Sequence, residues 1–272
     1  MYRIAAIQMA SGTNVTANLH ETARLINDAV KMGAKLIVLP ENFALMGVHR
    51  DDTFAIAEPE GTGVLQNFLS QQAAKHQIWL VGGTIPLLSD VPNKVTSVSL
   101  VFNDKGQCVG RYDKIHLFDV TVSNEESYNE SETYDAGEKI CVLDTPFGRL
   151  GVAICYDLRF PELFRHMVEQ KVELIAIPAA FTASTGRAHW DVLVRARAIE
   201  NLCYVVAADQ GGFHVNGRET YGDSMIVNPW GTVLTRLKRG TGVICSDIEH
   251  DRLAEIRQKF PVLKHRKTHL FS

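Results

Sequence analysis

Glu41, Lys114 and Cys155 differ in chemistry but share a setting: each follows a β-rich run, namely Leu36 to Pro40, the run ending at Tyr112, and Gly151 to Ile154. In open α/β sheets the loops leaving the carboxyl ends of strands converge on one crevice, so residues distant in sequence can meet there. Together the three would supply the parts of an acyl transfer. A thiol attacks a carbonyl, a carboxylate takes and returns its proton, and a cation stabilises the negative charge on the tetrahedral oxygen. Singly each has an ordinary reading, the cysteine as a small buried hydrophobe and the acid or lysine as a solvated charge. The set is far more specific than its members.

The other chemically capable residues lack such a setting. Cys108, Cys141, Cys203 and Cys245 lie in or beside apolar, strand-like runs and read as packing residues. Five cysteines with no C-x-x-C pair suggest neither a disulfide framework nor a zinc knuckle. His116, His189 and His214 have no acids at familiar ligand spacing, so no metal and no cofactor is expected. His189, beside Trp190, reads as a cap or packing residue at a helix start. Arg159, four positions after Cys155, reads either as a fork for a substrate carboxylate or as support for its turn through Glu162 or Asp157, and is carried as the support. Phe181, Thr182 and Thr185 form a small polar stretch after a strand, a candidate lining for an acyl pocket or a plain strand-to-helix connection.

The elements that must position these residues alternate along the chain. A strand over Ile4 to Gln8 precedes a helix from about Val15 to Met32, whose Leu19, Ala23, Ile26 and Val30 make an apolar stripe and which Gly33 ends. A strand at Leu36 to Leu39, a helix at Val64 to His76 and a strand at Ile78 to Val81 follow. Lys94 to Phe102 and Cys108 to Tyr112 form a hairpin turned at Asp104-Lys105-Gly106. After an acid-rich loop from about Ser123 to Glu138 come strands at Cys141 to Leu143 and Leu150 to Ile154. Pro161 then opens a helix at its favoured first position. A strand at Leu174 to Ile177, a helix at Ala188 to Asn201, and strands at Tyr204 to Ala208, Ser224 to Val227 and Gly231 to Arg236 complete an α/β pattern. So many strands need cover on both faces or a split into two packed sheets, and the pattern does not choose between them.

Composition narrows the class. A chain of 272 residues, 46% hydrophobic, can bury a large core, and one domain spanning residues 1–272 is expected. A net charge of −3, with basic residues interspersed among acids, leaves no footprint for nucleic acid. The basic stretch Lys264 to Lys267 reads as a solvated end. The opening MYRIAAIQMA is too short in apolar residues for a secretory signal, and no apolar run is long enough for a membrane span. A soluble, cytoplasmic protein is expected.

The segments PENF (Pro40 to Phe43), RYDKIHLFD (Arg111 to Asp119) and GVAICYDLRFPELFR (Gly151 to Arg165) resemble the three signature regions of the nitrilase superfamily of carbon–nitrogen hydrolases, in the same order. PAAFTASTGRAHWDVLVRARAIENLCYVVAADQGG and YGDSMIVNPWG resemble its Nit branch, near the deaminated glutathione amidases. The resemblance covers nearly the whole chain. It implies an α-β-β-α sandwich of two mixed sheets flanked by helices, and a homodimer or larger homo-oligomer. It implies Cys155 as nucleophile, Glu41 as general base, Lys114 as the oxyanion's cation and Glu130 as a second active-site glutamate. The expected reaction is hydrolysis of a non-peptide C–N bond of a small amide through a cysteine thioester, releasing ammonia, with the Tyr156 backbone N–H aiding Lys114 at the oxyanion. An ω-amidase acting on 2-oxo acid amides and an N-carbamoyl amino acid amidohydrolase are the alternatives. Tyr156-Asp157 after the cysteine, where nitrilases have Trp-Glu, argues against nitriles. A metal-dependent hydrolase would be stopped by chelators and indifferent to thiol alkylation, and a non-catalytic binding protein would not need all three groups.

Overall fold

The computed structural model describes residues 1–122 and 126–267. The first half of the chain runs β1 (Tyr2–Gln8), α1 (Val15–Lys31), β2 (Leu36–Val38), α2 (Arg50–Ala55), α3 (Val64–His76), β3 (Trp79–Val81), β4 (Ile85–Leu88), β5 (Val95–Phe102), β6 (Cys108–Asp113), β7 (Asp119–Thr121), β8 (Ser127–Asn129) and β9 (Tyr134–Asp135). The second half runs β10 (Cys141–Thr145), β11 (Gly148–Val152), α4 (Pro161–Glu169), β12 (Leu174–Ala179), α5 (Ala183–Asn201), β13 (Tyr204–Asp209), β14 (Gly211–Phe213), β15 (Glu219–Tyr221), β16 (Ser224–Val227), β17 (Val233–Leu237), β18 (Gly242–Ile248) and α6 (His250–Lys259).

Two large sheets result. One has the order β18-β1-β2-β3-β5-β4, with β6 and β9 also paired to β5; the other has the order β10-β11-β12-β13-β16-β17. Both are mixed: β1, β2 and β3 run parallel, as do β11, β12 and β13, and the flanking pairs are antiparallel except β5 with β9, which is parallel. Alternation along a strand sends successive side chains to opposite faces. Ile4, Ala6, Leu36 and Val38 therefore share a core with Val152, Leu174 and Ala176 of the second sheet. Their neighbours Ala5, Ile7, Ile37 and Leu39 pack with Leu25 and Ile26 of α1 and Leu65 and Leu69 of α3. Phe164 and Met167 of α4 and Trp190 and Val194 of α5 belong to the core of the second sheet. The layering is α-β-β-α, which resolves the choice that the strand pattern left open. Strands covered on both faces also explain the unbroken apolar runs at Leu36 to Leu39 and Leu174 to Ile177.

Met9 and Gln210 form a parallel bridge just beyond the ends of β1 and β13, so the carboxyl ends of parallel strands in both sheets open at one edge. The segments bearing Glu41 and Cys155 leave from that edge.

Four local expectations need correction. In α1 the fully buried ridge is Asn18, Thr22, Leu25, Ile26 and Ala29, whereas Leu19, Ala23 and Val30 are half-buried. The ridge is rotated because Asn18 bonds Gly12 and Ala44 carbonyls and Thr22 bonds the Asn18 carbonyl, so polar side chains occupy core positions at little cost. Helix α5 starts at Ala183, five residues before the expected Ala188, with Thr182 as its N-cap. Ser184, Thr185 and Gly186 are weak helix formers that hid this start. Gly186 is required there, since a Cβ would lie 2.3 Å from Tyr221. The acid-rich stretch is no plain loop: it contains β8, a 3₁₀ turn at Glu130–Glu132 and β9, while residues 123–125 lie outside the described residues. Among the cysteines expected to pack, Cys141 and Cys203 are buried, but Cys245 is half-buried and Cys108 exposed. No helix among the described residues is long and apolar enough to cross a membrane.

Candidate active site

Glu41 follows β2 on a backbone fixed from several sides. The Asn42 N–H donates to Thr84 Oγ1 at 2.9 Å, and Gln210 Nε2 donates to the Glu41 carbonyl at 3.0 Å and to Ser11 Oγ at 2.8 Å. Gly83, at φ +60°, packs so closely that a Cβ would lie 2.3 Å from the Pro40 carbonyl oxygen. Lys114 directly follows β6 and continues its pairing, its N–H donating to the Ser97 carbonyl at 2.9 Å. Cys155 begins a 3₁₀ turn at φ +45°, a left-handed conformation that costs a non-glycine residue about 1–3 kcal/mol.

Asp157 holds that turn. Its Oδ2 accepts from the Ile154 N–H at 2.8 Å and the Tyr112 hydroxyl at 2.7 Å; its Oδ1 accepts from the His116 N–H at 3.1 Å and lies 2.7 Å from His116 Nδ1. Arg197, reaching in from α5, donates to the Leu158 carbonyl at 3.0 and 2.7 Å.

These supports bring four predicted residues into one buried cluster. Lys114 Nζ lies 2.8 Å from Glu41 Oε1 and 2.9 Å from each Glu130 oxygen. Glu41 Oε2 accepts from the Ala180 N–H at 2.9 Å, and Cys155 shares the cavity wall with Glu41 and Lys114, near enough for both charges to act on its thiol. Glu130 is fixed by the Phe118 N–H at 2.6 Å. Burial works to raise the Glu41 carboxyl, but the Lys114 charge and hydrogen bond outweigh it and hold it below its ordinary value. Burial raises Glu130, and repulsion from Glu41 adds to that against the pull of Lys114. Burial would lower Lys114, yet the two carboxylates hold it well above its ordinary value. The Cys155 thiol is pushed well up by burial and by the Glu41 charge, with Lys114 opposing. The resting pair is a thiol beside a carboxylate.

The cluster opens into a cavity of about 290 Å³ whose wall also contains Tyr156, Phe181, Thr182 and Thr185. Thr182 and Thr185 belong to the N-cap and first turn of α5, with their hydroxyls 2.7 Å apart, rather than to a loop. Arg159 also lines the cavity. Among the described residues it has no ion pair with Glu162 or Asp157. Its Nη1 meets His189 Nδ1 at 3.1 Å, and its guanidinium lies over the Phe181 and Tyr156 rings at 5.0 and 5.8 Å. His189 is thus exposed within α5 and is no helix cap, while Trp190 is buried.

Sequence reasoning missed Asp209 and Arg218. Asp209 ends β13, fully buried, and Oδ1 accepts from the Phe181 N–H at 2.8 Å while Oδ2 has no partner among the described residues. Burial pushes its carboxyl well above the ordinary range. The strand-end rule that singled out Cys155 would have found it. Arg218 sits in the turn between β14 and β15 and lines the cavity, a placement no local pattern announces. Three or more His, Cys, Asp or Glu residues grouped to hold a metal do not occur among the described residues. The single H-x-x-x-H spacing, His265 and His269, has its second member outside them.

The carbon–nitrogen hydrolase family model matches residues 3–258. A deaminated glutathione amidase of Synechocystis is 42% identical over 268 residues, covering 97% of this chain and 98% of its own. Saccharomyces cerevisiae Nit3, a member of branch 10 of the nitrilase superfamily, superposes with a TM-score of 0.87 at 33% identity, covering 98% of this chain and 96% of its own. The Caenorhabditis elegans NitFhit protein superposes with a TM-score of 0.90 at 34% identity over 100% of this chain, which spans 66% of NitFhit.

Proposed function

This chain belongs to the carbon–nitrogen hydrolase family, and on that footing we propose that it is a cysteine amidase whose nucleophile is Cys155, whose base is Glu41 and whose oxyanion is met by Lys114. The observation that carries the reading is the buried Glu41–Lys114 ion pair in the wall of the same cavity as Cys155, close enough for both charges to act on the thiol.

In the proposed sequence the Cys155 sulfur attacks the amide carbonyl carbon as its proton passes to Glu41. Lys114 and the Tyr156 N–H stabilise the oxygen that gains the electron pair. Collapse of the tetrahedral species breaks the C–N bond, and Glu41 gives its proton to the departing nitrogen. Water then attacks the thioester, Glu41 takes a proton from it, and the acid leaves as the thiol is restored. Glu130 keeps Lys114 between two acceptors, and Phe181, Thr182 and Thr185 shape the acyl pocket.

The relatives named for deaminated glutathione support that compound as the substrate. Both amide bonds of glutathione are secondary, so its cleavage expels an amine, whereas a 2-oxo acid amide expels ammonia. We extend the proposal to a cytoplasmic homodimer or larger homo-oligomer on the strength of the superfamily resemblance, and light scattering of the purified protein tests the assembly.

The test of function is release of amine and ammonia from deaminated glutathione, 2-oxoglutaramate, an N-carbamoyl amino acid and a simple nitrile, with wild type and Cys155→Ala in parallel. Turnover of deaminated glutathione by wild type alone supports mechanism and substrate together. Preference for another amide replaces the substrate and keeps the nucleophile. Activity that survives in Cys155→Ala, or that a chelator removes, sinks the mechanism.

A further inference from the structure

The cavity wall carries three guanidinium groups, Arg50, Arg159 and Arg218. Its only acids among the described residues are Glu41 and Glu130, and both are committed to Lys114. Elsewhere arginines typically hold carboxylates, as Arg111 holds Asp113 and Glu60 and Arg236 holds Asp223. Among the described residues the three in the wall do not; their partners are the Asn93 carbonyl, the His189 ring and the Ala180 carbonyl respectively. Uncompensated cations around a cavity select an anionic occupant.

Arg218 is the one of these tied most closely to the reacting groups. Ala180 donates its N–H to Glu41 Oε2 and accepts from Arg218 Nη2 with its carbonyl, so a single residue separates the guanidinium from the base. Arg218 Nε is buried without a partner among the described residues, and the guanidinium lies 5.2 Å from the Tyr128 ring centroid. The Arg218 backbone is well fixed. Its N–H donates to Asn216 Oδ1 at 3.0 Å, Asn216 Nδ2 donates to the Gly47 carbonyl at 2.9 Å, and the hairpin docks through the Tyr221 N–H on the Phe181 carbonyl at 2.9 Å. Arg218, Asn216, Tyr128 and Val48 line both this cavity and an adjoining one. A planar fork with a free donor, fixed at that junction, suits a carboxylate.

We propose that Arg218 binds a carboxylate of the substrate while Cys155 meets its amide, so that the enzyme acts on amides that also bear a carboxylate. The inference rests on the amidase reading above and adds the residue that reads the anion.

The test compares glutaramate with pentanamide, in which a methyl group replaces the carboxylate, as the ratio of their kcat/KM values. Wild type favours glutaramate. Arg218→Gln reduces the ratio about 10–100-fold, the size expected for hydrogen bonds to a charged group, and Arg218→Lys recovers part of it. A merely structural role would lower both amides together and leave the ratio unchanged, overturning the proposal. So would a ratio that collapses in Arg159→Gln but not in Arg218→Gln. A second reading needs no variant: on wild type, glutarate protects Cys155 from iodoacetamide at lower concentration than the uncharged pentane-1,5-diol, and equal protection overturns the proposal. Turnover of neither amide, with deaminated glutathione, 2-oxoglutaramate and the N-carbamoyl amino acid also untouched, removes the amidase reading and this inference with it, whereas turnover of both at equal efficiency removes only this inference.

Discussion

Glu41→Gln tests the proposed base and its geometry in one protein. Both hydrogen-bond partners of the Glu41 carboxylate are donors: Lys114 Nζ at 2.8 Å and the Ala180 N–H at 2.9 Å. An amide in the same place must turn its NH₂ toward one of them. At least one buried group then lacks a partner, which costs about 1–3 kcal/mol. At about 2–4 °C per kcal/mol for chains of roughly this size, calorimetry should show melting lowered by about 2–12 °C. Loss of a general base lowers kcat/KM by about 10²–10⁴-fold. The thiol should move the other way. In wild type, burial and then the Glu41 charge push Cys155 up, while Lys114 pulls it down. Without that negative charge the thiolate forms at lower pH, visible as earlier growth of thiolate absorbance in a pH titration. The variant is thus expected to have the more easily ionised thiol and the slower enzyme. Activity within tenfold of wild type would refute Glu41 as the base, and a thiolate titration displaced to higher pH would refute the electrostatic account.

Lys114→Met leaves Glu41 and Glu130 facing each other without a cation, and removing one partner of a buried pair costs about 3–5 kcal/mol. In that variant both carboxyls should titrate above their unfolded values, so folding takes up protons: stability is present at low pH and lost as pH rises through the folded values. Its melting deficit against wild type, followed by calorimetry from pH 8 to 5.5, is expected to shrink on acidification; a constant deficit would contradict the pairing. Asp157→Asn replaces an acceptor for the Ile154 N–H, the Tyr112 hydroxyl and the His116 N–H by a group with one oxygen, at a cost of about 1–3 kcal/mol. The strained Cys155 turn should loosen, so steady-state kinetics are expected to show kcat falling while KM changes little; a pure KM effect would contradict this.

The proposed trio of Glu41, Lys114 and Cys155 stood out in the sequence because each directly follows a strand-like run and so lies at the edge where loops converge. Asp209 obeys the same rule at the end of β13, but an aspartate there adds no part that the trio lacks. Glu130 is different. It lies on a 3₁₀ turn inside an acidic stretch with no strand of its own leading to it, so only the superfamily resemblance singled it out. Arg218 reaches the cavity through a hairpin docked on a distant strand end, a contact between positions 181 and 221 that no local window contains. The errors in α1 and α5 have local causes. Asn18 and Thr22 fill core positions with satisfied hydrogen bonds, and a Ser-Thr-Gly stretch is helical because Thr182 caps it and Tyr221 packs against Gly186.

The directions of the shifts at Cys155 and Glu41 explain why so much structure surrounds a single carboxylate. A cysteine lowered by a cationic partner would rest as thiolate and would need little from its neighbours before attack. Here burial and a nearby negative charge hold the Cys155 thiol well up, so in the proposed mechanism attack coincides with proton transfer and the acceptor has to be in place before substrate arrives. Glu41 accordingly has its carbonyl held by Gln210, its chain fixed by Thr84 and Gly83, and both oxygens engaged by donors. Those donors keep it ionised in a site where burial alone would neutralise it. Lys114 would serve twice in the proposed mechanism: it holds Glu41 ionised, and it would meet the carbonyl oxygen as that becomes negative. In a pre-organised site of this kind the orienting cost falls on folding and is absent from each turnover. The left-handed Cys155, braced by Asp157 and Arg197, is strained for the same reason.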